Sequence, residues 1–181
     1  MIQEKELLEK VGEWTAKARV ESDPFNKYVS MFIAYNIFYN LYAWKRSNGS
    51  YEDYSGKDSR NATATISLVK ADKLLKSIAP ELPEYLLIIP VFREEYWPRK
   101  KPSGVPIAQT LKASFKDGDA MNAIDLLIKW LYKVRCNLVH GEKSYKDEKQ
   151  RKLLEISTGL LDKILQHLVS RYIQTYGQPL A

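Results

Sequence analysis

Cysteine and histidine are almost absent from this chain: Cys136 is its single cysteine, and His140 and His167 are its two histidines. A lone thiol forms no intrachain disulfide, and one cysteine with two histidines cannot build a four-ligand structural zinc site. Both facts fit a reducing cytoplasm, and neither a metal nor another cofactor is expected. No apolar run reaches the roughly 18 residues that suggest a membrane span. The most apolar stretch, 29–44, is shorter and carries Asn36 and Asn40, so it is expected to form a buried core helix. The opening residues 1–9 mix acids and bases and lack the apolar segment of a secretory signal, so no export is implied. There is no repeat period, no low-complexity tract and no sustained alternation of apolar and polar residues that a sheet would require.

What is present is the composition of a folded globular protein, with 45% hydrophobic and 28% charged residues over 181 positions. That length suits one domain with its own core, here expected to be a single helical domain over 1–181. Basic residues outnumber acidic ones by 28 to 22, and the resulting net charge of +6 favours approach to polyanions such as nucleic acid.

Helical periodicity dominates. A first helix is expected over about 2–21, ending before Ser22-Asp23-Pro24, where Asp23 can cap a second helix and Pro24 fits its first turn. The second helix runs to about residue 45. Phe25, Tyr28, Phe32, Tyr35, Tyr39 and Tyr42 follow a 3-4 spacing along one of its faces, a stripe expected in the core or at a dimer interface. A polar loop over 47–57 precedes a third helix from Asp58 or Ser59 to about Ile78. Pro80, Pro83, Pro90, Pro98 and Pro102 forbid a long regular helix before Pro106, leaving room for a short one over 84–89. A fourth main helix is expected over 119–139, with Ile124, Leu127, Leu131, Val134 and Leu138 as its core stripe and Gly141 as terminator. The last, over 146–176, turns Leu153, Leu160, Leu161, Ile164, Leu168, Tyr172 and Tyr176 inward. The expected architecture is all-α, an antiparallel bundle of about five main helices.

Chemistry concentrates in Arg135-Cys136-Asn137-Leu138-Val139-His140-Gly141, an Arg-x4-His pattern closing an amphipathic helix. Arginine offers a permanent charge in a fork suited to phosphate, and histidine exchanges a proton near neutral pH, so two parts of a phosphodiester-cleaving site lie together. At about 100° per residue, Arg135 falls roughly 60° from the centre of the core stripe and His140 nearly opposite it. One regular helix does not aim both at one phosphate. Either the helix unwinds before Gly141, or a second protomer supplies the missing partner. The plainer alternatives are a helix-terminal arginine paired with an acid or with carbonyl ends, and a histidine that caps the same terminus.

This segment resembles the Arg-x4-6-His motif of HEPN domains, the higher eukaryote and prokaryote nucleotide-binding superfamily. Ile33-Ala34-Tyr35-Asn36-Ile37-Phe38-Tyr39-Asn40 is similar to the aromatic-Asn-x-x-Tyr pattern of an early helix in many bacterial and archaeal members. Cys136 stands where those members commonly carry a polar residue, with Asn137 one place later. The resemblance implies a small helical bundle that pairs as a two-fold homodimer, both Arg-His motifs lining one cleft. It further implies metal-independent RNA cleavage, as in toxins and defence effectors, some of which are held by an antitoxin protein. In that scheme His140 takes the proton of a ribose 2′-hydroxyl, which attacks the adjacent phosphorus while Arg135 neutralises the phosphoryl oxygens. Asn137, Asn36 and Tyr39 would support them.

Asn36 and Asn40, four apart on an apolar helix, each require a hydrogen-bond partner, in a structural network or at the Arg-His cleft. Arg99, Lys100 and Lys101 follow Trp97-Pro98 in a proline-bound loop that is either a solvated surface or an RNA contact, and Lys143 follows the motif. Cys136 is expected as a packed or half-buried small residue, and His167 as a surface or half-buried helix residue. Two rival functions remain beside RNA cleavage: RNA or nucleotide binding without cutting, and a helical interaction module with no active site. Convergence of the motif residues in an open cleft separates the first from the last.

Overall fold

The computed structural model describes residues 4–48, 57–88, 104–139 and 147–177. Among these the chain is all-α: eight α-helices and one 3-10 turn, with no strand. Helix α1 (Glu4–Val20) begins on Glu4 and Glu6 and ends on Lys17 and Arg19, charges that complement the helix dipole at both ends. It lies along α2 (Pro24–Arg46), whose first turn is capped by Asp23, the carboxylate accepting the Asn26 N–H at 2.9 Å. Pro24 occupies the first turn, where a missing N–H is harmless.

Helix α2 is the centre of the core because it is apolar nearly all round. Tyr28, Met31, Phe32, Ala34, Tyr35, Phe38, Tyr39, Leu41 and Tyr42 are buried, and α1, α3 and α8 pack on it. Rings of the aromatic stripe touch in sequence: Tyr28 and Phe32 at 6.2 Å, Phe32 and Tyr35 edge-on at 5.9 Å, Tyr35 and Tyr39 edge-on at 5.3 Å.

The continuous helix expected over 58–78 is instead broken. Helix α3 (Asp58–Ala64) tightens into a 3-10 turn (Thr65–Leu68), the chain turns extended at Val69, and α4 (Ala71–Ile78) starts afresh. Two side chains from outside the segment, with Thr65 inside it, explain the break. The Tyr35 hydroxyl donates to the Ala62 carbonyl at 2.8 Å and the Thr65 hydroxyl donates to the same oxygen at 2.7 Å. The Lys70 N–H, which an unbroken helix would direct to Ile66, donates to His167 Nε2 at 3.2 Å.

Helix α5 (Leu82–Ile88) starts two residues before the short helix expected over 84–89. Helix α6 (Gly104–Lys116) occupies a stretch for which the sequence suggests no element; Pro106 sits in its first turn, and Leu111 and Ser114 are buried beneath it. The expected stripe of α7 (Ala120–Val139), from Ile124 to Leu138, is buried throughout. Asp147 caps α8 (Glu148–Tyr176), accepting the N–H groups of Lys149 and Gln150 at 2.9 and 3.2 Å, and Gly177 ends it at a φ of 81° that favours glycine. Tyr176 is 40% exposed rather than inward, its ring beside Tyr172. Arg19 of α1 grips Asp162 of α8 with two bonds, at 3.0 and 2.7 Å. The buried side chains join in one contiguous core. None of the described helices is long and apolar enough to cross a membrane.

His167 makes the α4–α8 junction sensitive to acid. Burial, then the Arg171, Lys73 and Lys70 cations, push its pKa below the usual 6.5, and the neutral imidazole is the form that accepts the Lys70 N–H. With the folded value below the unfolded one, the unfolded chain takes up the proton first. Stability is therefore full above about pH 6.5 and declines as pH falls through that value. Thermal melts at pH 7.5 and 5.5 should show a lower midpoint in acid, with the difference reduced in His167→Gln. An equal difference in the variant would remove His167 from the account.

Candidate functional site

The side chain of Arg135 is placed by an aromatic strut from α2. Fully buried Tyr28 donates its hydroxyl to the Leu131 carbonyl at 2.6 Å, fastening α7 one turn before Arg135. Burial holds the Tyr28 hydroxyl well above the usual tyrosine pKa, so it remains a neutral donor. The guanidinium then lies over the Phe32 ring, 5.8 Å from its centroid, and Tyr132 meets the same ring at 6.0 Å. Among the described residues no carboxylate pairs with Arg135 and no hydrogen bond occupies its donors.

A cleft of about 270 Å³ opens between the two helices here. Helix α2 lines it with Tyr28, Val29, Phe32, Ile33 and Asn36, and α7 with Arg135 and Leu138. Its walls are mostly apolar, and Asn36 and Arg135 are its two hydrogen-bonding side chains besides the Tyr28 hydroxyl already engaged at Leu131.

A relay of amides orients Asn36. Asn61, buried on α3, donates to the Asn40 side-chain oxygen at 3.2 Å; Asn40 donates to the Asn36 oxygen at 3.3 Å; Asn36 donates in turn to the Tyr39 hydroxyl. Such a chain satisfies amides within an apolar helix that would otherwise be costly to bury. These asparagines form the structural network, and Asn36 at one end of it lines the cleft beside Arg135. The Tyr39 pKa is raised, first by burial and then by the Asp58 carboxylate and Tyr132, so its hydroxyl stays neutral.

Of the residues singled out in the sequence, the structure thus brings Arg135, Asn36 and Tyr39 into one neighbourhood, and Cys136 beside them is half-buried. His140, Lys143, Arg99, Lys100 and Lys101, and the side chain of Asn137, lie outside the described residues. Sequence reasoning missed Val29 and Ile33 as cleft walls and Asn61 as the origin of the amide relay. The half-buried side of α2 was a usable signal for the first two; Asn61 has none, because its partner is 21 positions away in the chain. No family model matches this chain, and no curated protein or solved structure does.

Proposed function

We propose that this protein is a metal-independent endoribonuclease of the HEPN type, built on a bundle of about five main helices and acting as a cytoplasmic homodimer on RNA. The observation that carries the reading is Arg135: a guanidinium with no acid partner among the described residues, resting on Phe32 in a cleft it shares with Asn36, and followed five positions later by His140. A guanidinium lining an apolar cleft with no acid beside it among the described residues suits an anionic ligand. His140 removes the proton of a ribose 2′-hydroxyl, the oxygen attacks phosphorus, and Arg135 stabilises the charge that gathers on the phosphoryl oxygens. The bond to the 5′-oxygen breaks, leaving a 2′,3′-cyclic phosphate and a 5′-hydroxyl. DNA, lacking the nucleophile, is at best a ligand. The Arg-His segments of two protomers face one groove across the two-fold axis, and the biological setting is that of a toxin or defence effector with an antitoxin as its natural partner.

A second reading, RNA or nucleotide binding without cleavage, draws support from Cys136, a half-buried thiol where a polar group is expected beside the arginine. Incubation of the purified chain with labelled single-stranded and structured RNA in excess chelator tests both. Cleavage leaving cyclic phosphate ends is expected, falling by about 10²- to 10⁴-fold in His140→Ala. Cleavage that needs a metal, or survives in His140→Ala, overturns the mechanism; binding without cutting moves the conclusion to the second reading.

A further inference from the structure

We infer that the cleft between α2 and α7 seats one unpaired nucleobase, with Asn36 hydrogen-bonded to the base edge and the apolar side chains against its faces. The inference rests on the proposal that RNA is the substrate and adds where, and by what, a base is held. Size is the first argument. At about 270 Å³ the cleft falls just under the roughly 300–1,000 Å³ of pockets for drug-sized ligands, which suits a single planar group rather than a peptide segment or a duplex.

The lining is the second argument. Val29 and Ile33 offer half-buried apolar surface, backed by Tyr28, Phe32 and Leu138, which are buried, and the Tyr28 hydroxyl is already engaged with the Leu131 carbonyl. Polar recognition falls to Asn36 and Arg135. An occupant with apolar faces and a polar rim satisfies both kinds of surface, which is a description of a nucleobase. An aliphatic side chain from a partner protein would fill the same volume but leave an amide and a guanidinium desolvated and unpaired.

The third argument is the amide relay. A primary amide has two N–H donors and two acceptor lone pairs. In Asn36 one donor is used on Tyr39 and one lone pair by Asn40, which sets the amide's rotation and leaves one donor and one acceptor uncommitted. A donor and an acceptor on one amide are what a base edge complements, and a side chain already held in place loses little freedom on binding. All four bases present a matching edge, so the geometry points to base binding with modest preference among them. Arg135, which lines the same cleft, is then left for the phosphate that follows the base.

Calorimetric titration of the intact chain with the four nucleoside 3′-monophosphates, ribose 5-phosphate and inorganic phosphate tests this without any cleavage step. At least one nucleotide should bind about tenfold or more tightly than ribose 5-phosphate. That advantage should shrink severalfold in Asn36→Ala and vanish in Ile33→Trp, which fills the cleft from a half-exposed position, while inorganic phosphate binds as before. Equal binding of nucleotide and ribose 5-phosphate by the wild-type chain overturns the inference, and this comparison depends on no variant folding. An advantage that is undiminished in Asn36→Ala, or that survives in an Ile33→Trp protein that melts cooperatively, places the base elsewhere and overturns it too. So does a change of oligomeric state in Ile33→Trp with nucleotide binding intact, which marks a protein-docking face. RNA cleavage in the same samples keeps the two ideas apart. A chain that cuts RNA but shows no base advantage loses only the pocket; one that prefers nucleotides but cuts nothing loses only the nuclease.

Discussion

If the protein is the ribonuclease proposed above, replacing Arg135 with alanine is expected to slow RNA cleavage by about 10²- to 10³-fold while leaving the protein folded, the range seen when one preorganised transition-state donor is removed. Its structural role is small: among the described residues it makes one cation–π contact, with Phe32, and no ion pair. Such a contact at a partly exposed site contributes about 0.5–1 kcal/mol, minor against a typical stability of about 5–15 kcal/mol. Loss of rate is therefore separable from loss of fold. Arg135→Lys should recover only part of the activity, because an ammonium returns the charge without the planar fork that meets two phosphoryl oxygens at once. Initial rates on a short labelled RNA, with melting curves of the same preparations, decide the matter. A rate unchanged in Arg135→Ala, or restored fully by lysine, would leave the guanidinium without a chemical role.

Tyr28→Ala should be the most damaging single change near the site, at about 3–5 kcal/mol, because it empties a fully buried aromatic position. For a chain of this size that lowers the melting midpoint by about 10 °C. Tyr28→Phe separates the two jobs of the residue. The ring remains and the bond to the Leu131 carbonyl goes, costing about 1 kcal/mol, while that carbonyl stays within the α7 backbone ladder. The phenylalanine variant should remain folded yet hold the Arg135 turn of α7 less firmly, so its cleavage rate should fall more than its stability. Urea or thermal unfolding of both variants checks the first part. Similar destabilisation by alanine and phenylalanine would mean that the hydroxyl, and not the packing, joins the helices.

Legibility from sequence differed by the kind of residue involved. The aromatic stripe of α2 and the Ile124-to-Leu138 stripe of α7 were readable because a 3-4 spacing has only one burial solution on a helix. Asp23 and Pro24 marked the start of α2 because capping is local, with the carboxylate and the N–H it accepts lying within three residues. The broken segment between Asp58 and Ile78 was not readable. Its local sequence tolerates a helix, and the groups that end it, the Tyr35 hydroxyl and the His167 imidazole, lie 27 and 97 positions from their partners. Helix α6 escaped notice for a different reason: the proline-rich stretch before it weighed against helix, while Pro106 in a first turn is harmless.

The same division runs through the candidate site. Arg135, His140 and Asn36 stood out by residue type and spacing, since few side chains bear a fork of positive charge, titrate near neutrality or place an amide inside an apolar run, whereas Tyr39 was picked out only by the resemblance to a family pattern. By itself, then, the amino-acid order determined an all-helical chain, the faces its long helices bury and the residues able to do chemistry. Tertiary structure decided that α2 and α7 stand apart around a cleft, that Phe32 carries Arg135 there, and that Asn61 aligns Asn36 through Asn40. Periodicity is a property of neighbours in the chain, whereas a cleft is made by side chains that meet only when distant turns have packed.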